Sequence, residues 1–223
     1  MKKKLIVCIL LACVFIFAMC KPDNGDNTLG PIINQQQKQA ESNESASQEV
    51  FLQSFEYYPI DKIVESRMMG VSWKYGSPVD VEDLSYVKVS YWGFDEKPHI
   101  GELIVNKMVA KDIIEIFEVL YEARFPIDKI KLIDEYNAED LKSMADNNTS
   151  AFCFREIEGK PGQLSKHSYG AAIDINPIQN PYVYKDKISP IEGKEYVDRS
   201  KVSKGMIVKG DACYQAFTSR GWT

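Results

Sequence analysis

The hydrophobic pattern changes period along the chain, and each period names an element. Leu84 to Phe94 (LSYVKVSYWGF) alternates Val87, Val89 and Tyr91 against Tyr86, Lys88, Ser90 and Trp92. A period of two predicts a strand with one buried face. Ile100 to Val105 predicts a second strand, and Asp95, Glu96 and Pro98 mark the turn between them. From Asn106 the period lengthens: Val109, Ile113, Ile116, Phe117, Leu120 and Tyr121 recur at helical spacing, while Lys107, Lys111, Asp112, Glu115 and Glu118 take the other face. Asn106 is the expected N-cap of this packing helix and Pro126 its stop. Ile127–Ile133 predicts a short strand, Ala138–Ala145 a short helix, and the remainder short strands and loops. The expected fold class is α+β, a single domain with a small antiparallel sheet and packed helices.

The N-terminus follows another pattern. Lys2, Lys3 and Lys4 precede Leu5–Met19, 15 apolar residues in a row. That is short for a spanning helix and suits a secretory signal, with an uncleaved anchor as the alternative. Two cysteines compete for lipidation. Leu10-Leu11-Ala12-Cys13 resembles a lipoprotein box, whereas Phe17-Ala18-Met19-Cys20 has Met where a small residue is expected. Cleavage before Cys13 would leave Val14–Met19 in water. Cys20 lies where apolar sequence gives way to Lys21-Pro22-Asp23, and it is the preferred site. Either way the chain is expected to be exported and held at the membrane of the cell envelope by an N-terminal lipid or signal anchor. Residues from Lys21 to about Gln48 are rich in Asn, Gln, Ser, Asp and Gly, the composition of a flexible tether. The expected organisation is a signal segment over 1–20, a tether over 21–49 and a folded domain over 50–223.

Residues 1–20 hold three lysines and no acid, so the rest carries 24 basic and 32 acidic residues, a net charge of −8. That argues against a nucleic-acid partner, which needs a basic surface. Cys153 and Cys213 could pair in an oxidising compartment, but two isolated thiols are the favoured reading.

The candidate chemistry lies in Ser165 to Tyr182, SKHSYGAAIDINPIQNPY. His167 and Asp174 are metal-compatible ligands an odd number of residues apart, which one straight strand would place on opposite faces. Gly170 offers a bend that turns His167 back. Ala171–Asn176 reads as a buried strand with Ile173 and Ile175 toward the core and Ala172, Asp174 and Asn176 on the other face. A carboxylate in such an apolar run is costly unless paired or metal-bound.

Ser165, His167, Gly170, Ala172 and Asp174 give S-x-H-x-x-G-x-A-x-D. This resembles the zinc-ligand motif of the D-Ala-D-Ala carboxypeptidase and L-alanyl-D-glutamate peptidase family, which includes vancomycin-resistance dipeptidases and phage endolysin peptidases. The resemblance runs from about Ile100 to the end and takes in GELIVN, the helix, FPI, NNTSAF, Arg155 and DINPIQNPY. It implies a Hedgehog/DD-peptidase-like fold and a zinc (Zn2+) metallopeptidase that hydrolyses D-amino-acid-containing peptidoglycan stem peptides, as a D,D- or L,D-carboxypeptidase or endopeptidase. It makes His167 and Asp174 two metal ligands. Arg155 becomes the catalytic donor to the substrate carbonyl or carboxylate and to the developing oxyanion. Ser165 shapes the loop or bonds a ligand. Tyr169 and Tyr182 either line the cleft or, as the favoured reading, pack as buried aromatics.

The chain departs from the family at one point. The family's third ligand is a histidine near the C-terminus, preceded by an acidic general base, and this sequence holds only His99 and His167. His99 precedes a strand and reads as a surface histidine. Cys213, Asp211 and Glu195 are the available substitutes, and no spacing recommends them. Ala216–Thr223 resembles the lead-in to the terminal ligand segment, so a domain lacking its C-terminal end, with impaired hydrolysis, is expected. A non-catalytic cell-wall-binding lipoprotein is the rival. A serine or cysteine hydrolase is disfavoured, since no G-x-S-x-G elbow is present.

Overall fold

The frame is a long antiparallel hairpin of β2 (Leu84–Trp92) and β3 (Pro98–Asn106), with β1 (Phe55–Pro59) added on the outer side of β2. It belongs to a computed structural model that describes residues 50–223. The segments expected to be a signal over 1–20, with Cys20, and a tether over 21–49 lie outside the described residues. The register pairs Val87 with Leu103 and Val89 with Gly101, and the tight turn carries Glu96 at positive φ. No helix among the described residues is long and apolar enough to cross a membrane.

Both faces of the hairpin are covered. On one, Val87, Val89, Tyr91, Leu103 and Val105 meet Ile113, Ile116, Phe117 and Leu120 of α2 (Ala110–Glu122) in the main core. On the other, Leu84 and Ile104 pack with Val64 and Met68 of α1 (Lys62–Met68), Leu132 and Phe152. The alternation of Leu84–Phe94 thus marks the more completely buried face. Neither β1 nor α1 was legible, since Phe55–Pro59 is largely exposed and α1 has a single pair of buried residues.

Several boundaries differ from expectation for local reasons. Asn106 does not cap α2, whose N-cap is Val109. Asn106 pairs with Leu84 in the sheet, and its side chain accepts from Met108 N in a turn before the helix. Within Ile127–Ile133 only Lys129–Ile130 (β4) forms a strand, pairing parallel with β5 (Asn148–Thr149), and Ile133–Tyr136 closes into a 3₁₀ turn. The helix expected from Ala138 starts later, as α3 (Asp140–Ala145), because Asn137 and Ala138 are both left-handed. Two hairpins follow, β6 (Glu156–Ile157) with β7 (Lys160–Leu164) and β8 (Tyr182–Tyr184) with β9 (Lys187–Ser189). The last element is a helix rather than a loop or strand: α4 (Ala212–Thr218), capped by Asp211, packs Cys213 and Ala216 into the main core beside α2. Small antiparallel sheets and packed helices make the domain α+β, as the sequence pattern implied.

Candidate active site

The segment from Asn147 to Arg155 is the spine on which the candidate residues hang. Ser150 and Asp174 exchange both backbone hydrogen bonds, 3.0 and 3.2 Å. Asn176 N donates to Thr149 Oγ1. Further along, Cys153 N donates to the His167 carbonyl at 3.2 Å. Arg155 is fixed at its backbone on both sides: its N–H donates to Ser168 Oγ at 3.0 Å, and its carbonyl accepts from Ser168 Oγ and from Ser165 N. One stretch of backbone therefore sets the positions of Arg155, His167 and Asp174 together.

The turn that brings His167 back is a short 3₁₀ helix, Lys166–Tyr169. Ser165 caps it, accepting from His167 N at 3.3 Å. Gly170 closes it at φ +65°, and its carbonyl accepts from Asn106 N at 2.9 Å. Only glycine fits, because a Cβ here would stand 2.5 Å from Asn106 N. The expected strand over Ala171–Asn176 does not form. Asp174 makes a single bridge to Ser150, and Asn176 at φ +46° ends the extended run.

His167 Nε2 and Asp174 Oδ2 lie 3.3 Å apart, with the His167 side chain 10% and the Asp174 side chain 33% exposed. The other ring nitrogen, Nδ1, meets the Ala151 carbonyl at 2.5 Å. A carbonyl only accepts, so Nδ1 carries the proton and Nε2 is left to face Asp174. Burial is the largest single influence and opposes charge on both partners, but the hydrogen bond and the charges between them together outweigh it, helped on His167 by the Ala151 carbonyl. His167 is accordingly held above the usual histidine range, and Asp174 below the usual carboxylate range.

Arg155 Nη2 contacts Asp140 Oδ2 at 2.9 Å. Burial, only partly offset by the Arg155 cation, pushes the Asp140 carboxyl upward, and the Asp174 charge pushes the same way. Asp140 carries no motif in the sequence, and its one signal there is a place in the first turn of a short helix.

A divalent cation fits the His167–Asp174 pair. One imidazole nitrogen and one carboxylate oxygen converge, and the far imidazole nitrogen is held by an acceptor, the usual arrangement behind a metal-bound histidine. Among the described residues no group of three His, Cys, Asp or Glu side chains gathers to hold a metal. His99 sits at the far end of β3 from Asn106, stacked on Tyr91 and paired with Asp95. Asp211 caps α4, Glu195 is exposed, and Cys213 is buried in the core. Cys153 and Cys213 are both free; burial pushes the Cys153 thiol up to about 11 and the Cys213 thiol higher still, so neither is poised as a nucleophile. Tyr169 and Tyr182 are exposed, not packed in the core as favoured.

Residues 158–223 match a family model described as D-alanyl-D-alanine carboxypeptidase. No curated protein and no solved structure matches the chain. The match contains Ser165, His167, Gly170 and Asp174, and it begins just after Arg155. The motif at Ser165–Asp174 and the match over residues 158–223 agree, and this part of the chain is similar to the D-alanyl-D-alanine carboxypeptidases.

Proposed function

We propose that this chain is a zinc-dependent peptidase of the cell envelope, directed at D-amino-acid-containing peptidoglycan stem peptides. The observation that carries the reading is the convergence of His167 Nε2 and Asp174 Oδ2, with Nδ1 tied to a backbone carbonyl. These two atoms would hold the cation. Zinc, when bound, supplies an acidified water and polarises the scissile carbonyl. Arg155 donates to the carbonyl oxygen as negative charge builds on it, and a guanidinium suits that task because it donates in two directions. Ser165 and Ser168 keep the histidine turn and the segment carrying Arg155 in register. The basic-apolar N-terminus with Cys20 supports an exported chain anchored at the membrane.

A second reading, a cell-wall-binding protein without turnover, draws on the pairing of only two candidate ligands among the described residues. The full chain is incubated with zinc and D-Ala-D-Ala-ended muropeptides, and bound metal and released products are measured by mass spectrometry. The hydrolase reading expects zinc binding that is lost in Asp174→Asn, together with peptide cleavage that is slow, because among the described residues no third side-chain ligand joins the pair. Muropeptide binding with no cleavage favours the second reading, and failure to bind either zinc or muropeptide sinks both.

A further inference from the structure

Arg155 is anchored at both ends, and the second anchor is a residue that neither the motif nor the family match contains. Its backbone is clamped by Ser165 and Ser168. That clamp fixes the Cα but leaves the long side chain free to turn, and an arginine carries about 2 kcal/mol of rotamer entropy. Asp140 supplies the other anchor, with Oδ2 2.9 Å from Nη2 and both side chains largely covered, at 25% and 22% exposure. A covered, charge-assisted contact of this length orients a guanidinium where an exposed ion pair would not. The Nε–H of the same guanidinium is buried and has no acceptor among the described residues. Buried donors are normally satisfied, and the Arg155 charge acts on both His167 and Asp174, so the orphan Nε–H is a donor open to a ligand oxygen at that pair.

We infer that Asp140 is the positioning residue of Arg155: it takes one terminal nitrogen and so fixes the Nε edge toward a single oxygen of the peptide substrate. The inference rests on the peptidase reading for the identity of that oxygen, but its geometry can be tested without turnover. The backbone also explains why Asp140 arrives there. The left-handed pair Asn137–Ala138 delays the start of α3 until just before this residue, so Asp140 opens the helix where its carboxylate meets Arg155.

The full chain is labelled with 15N at arginine, and the Nε–H signals of its five arginines are followed. Arg155→Lys identifies the Arg155 signal by its loss. In the wild type that signal is sharp and exchanges slowly with water. In Asp140→Asn and Asp140→Ala it broadens or exchanges roughly tenfold faster or more, because an unpaired side chain moves between rotamers. The other four signals stay in place, and Asp140→Glu restores much of the order. An unchanged Arg155 signal in Asp140→Asn, or equal loosening of all five, overturns the proposal. Where the zinc-loaded wild type cleaves D-Ala-D-Ala peptide, Asp140→Asn lowers kcat about 10²-fold, the effect of a misplacement near 1 Å, with KM little changed. A rise in KM alone counts against the positioning role. Absence of wild-type cleavage counts against the peptidase reading, and the arginine signals then decide the role of Asp140 separately.

Discussion

Replacing Gly170 with alanine tests whether one bend holds the candidate metal pair together. Two independent penalties meet at this residue. A non-glycine residue at φ +65° costs about 1–2 kcal/mol. The added Cβ would also lie 2.5 Å from Asn106 N and 3.0 Å from Val105 C, both backbone atoms at the end of β3 that cannot rotate aside. Relief to an ordinary contact of 3.4 Å or more requires the 165–170 turn to lift away from the sheet, at about 1–3 kcal/mol for overpacking. The lift stretches the bond from Asn106 N to the Gly170 carbonyl and carries His167 with it. Urea denaturation of Gly170→Ala should therefore show a loss of about 2–5 kcal/mol. Zinc affinity, read by chelator competition, should fall about 10–100-fold as the histidine is misaligned with Asp174. Gly162→Ala is the matched control: it has φ +77° and nothing within 4 Å of its Cβ, so it carries the conformational penalty alone. If Gly170→Ala is no less stable than Gly162→Ala and keeps wild-type zinc affinity, the close approach to Asn106 does not position the site.

Two further outcomes follow from the core and the sheet. Phe117, fully buried between α2 and the hairpin, should lose about 3–5 kcal/mol on replacement by alanine, and a urea midpoint near wild type would contradict the packing described. Glu102 is half-buried, but hydrogen bonds from Tyr86 and Arg67 outweigh that burial and hold its carboxyl below the usual range. Its contribution is thus present above the unfolded-state value near 4.3 and lost as pH falls through the lower folded value. Glu102→Gln should flatten that part of the acid limb of a stability–pH profile, and an unchanged slope between pH 5 and the acid transition would refute the assignment.

The elements with a long regular period were legible in the sequence, because period reports burial directly. β2 and α2 bury whole faces, and Val87, Val89, Ile113, Phe117 and Leu120 stand where the pattern placed them. What escaped was set by tertiary partners. Asn106 looks like a helix cap and is a sheet residue, because it pairs with Leu84 at the end of β3 while its N–H is taken by the Gly170 carbonyl. Ala171–Asn176 has the composition of a strand but finds only Ser150 to pair with. In the site, His167, Asp174, Ser165 and the Gly170 bend were readable because they lie within ten residues of one another in sequence. Asp140 was not, since its partner Arg155 is fifteen residues away and only folding brings the two into contact.

The acceptor that holds His167 Nδ1 is the main-chain oxygen of Ala151. Every amino acid carries that oxygen, so no exchange of side chain at position 151 can remove it. The choice of ring tautomer is therefore insulated from point mutation there, and position 151 answers to the space around its methyl group alone. A relative could vary this residue within the limits of the main core and still present the same imidazole nitrogen to a cation.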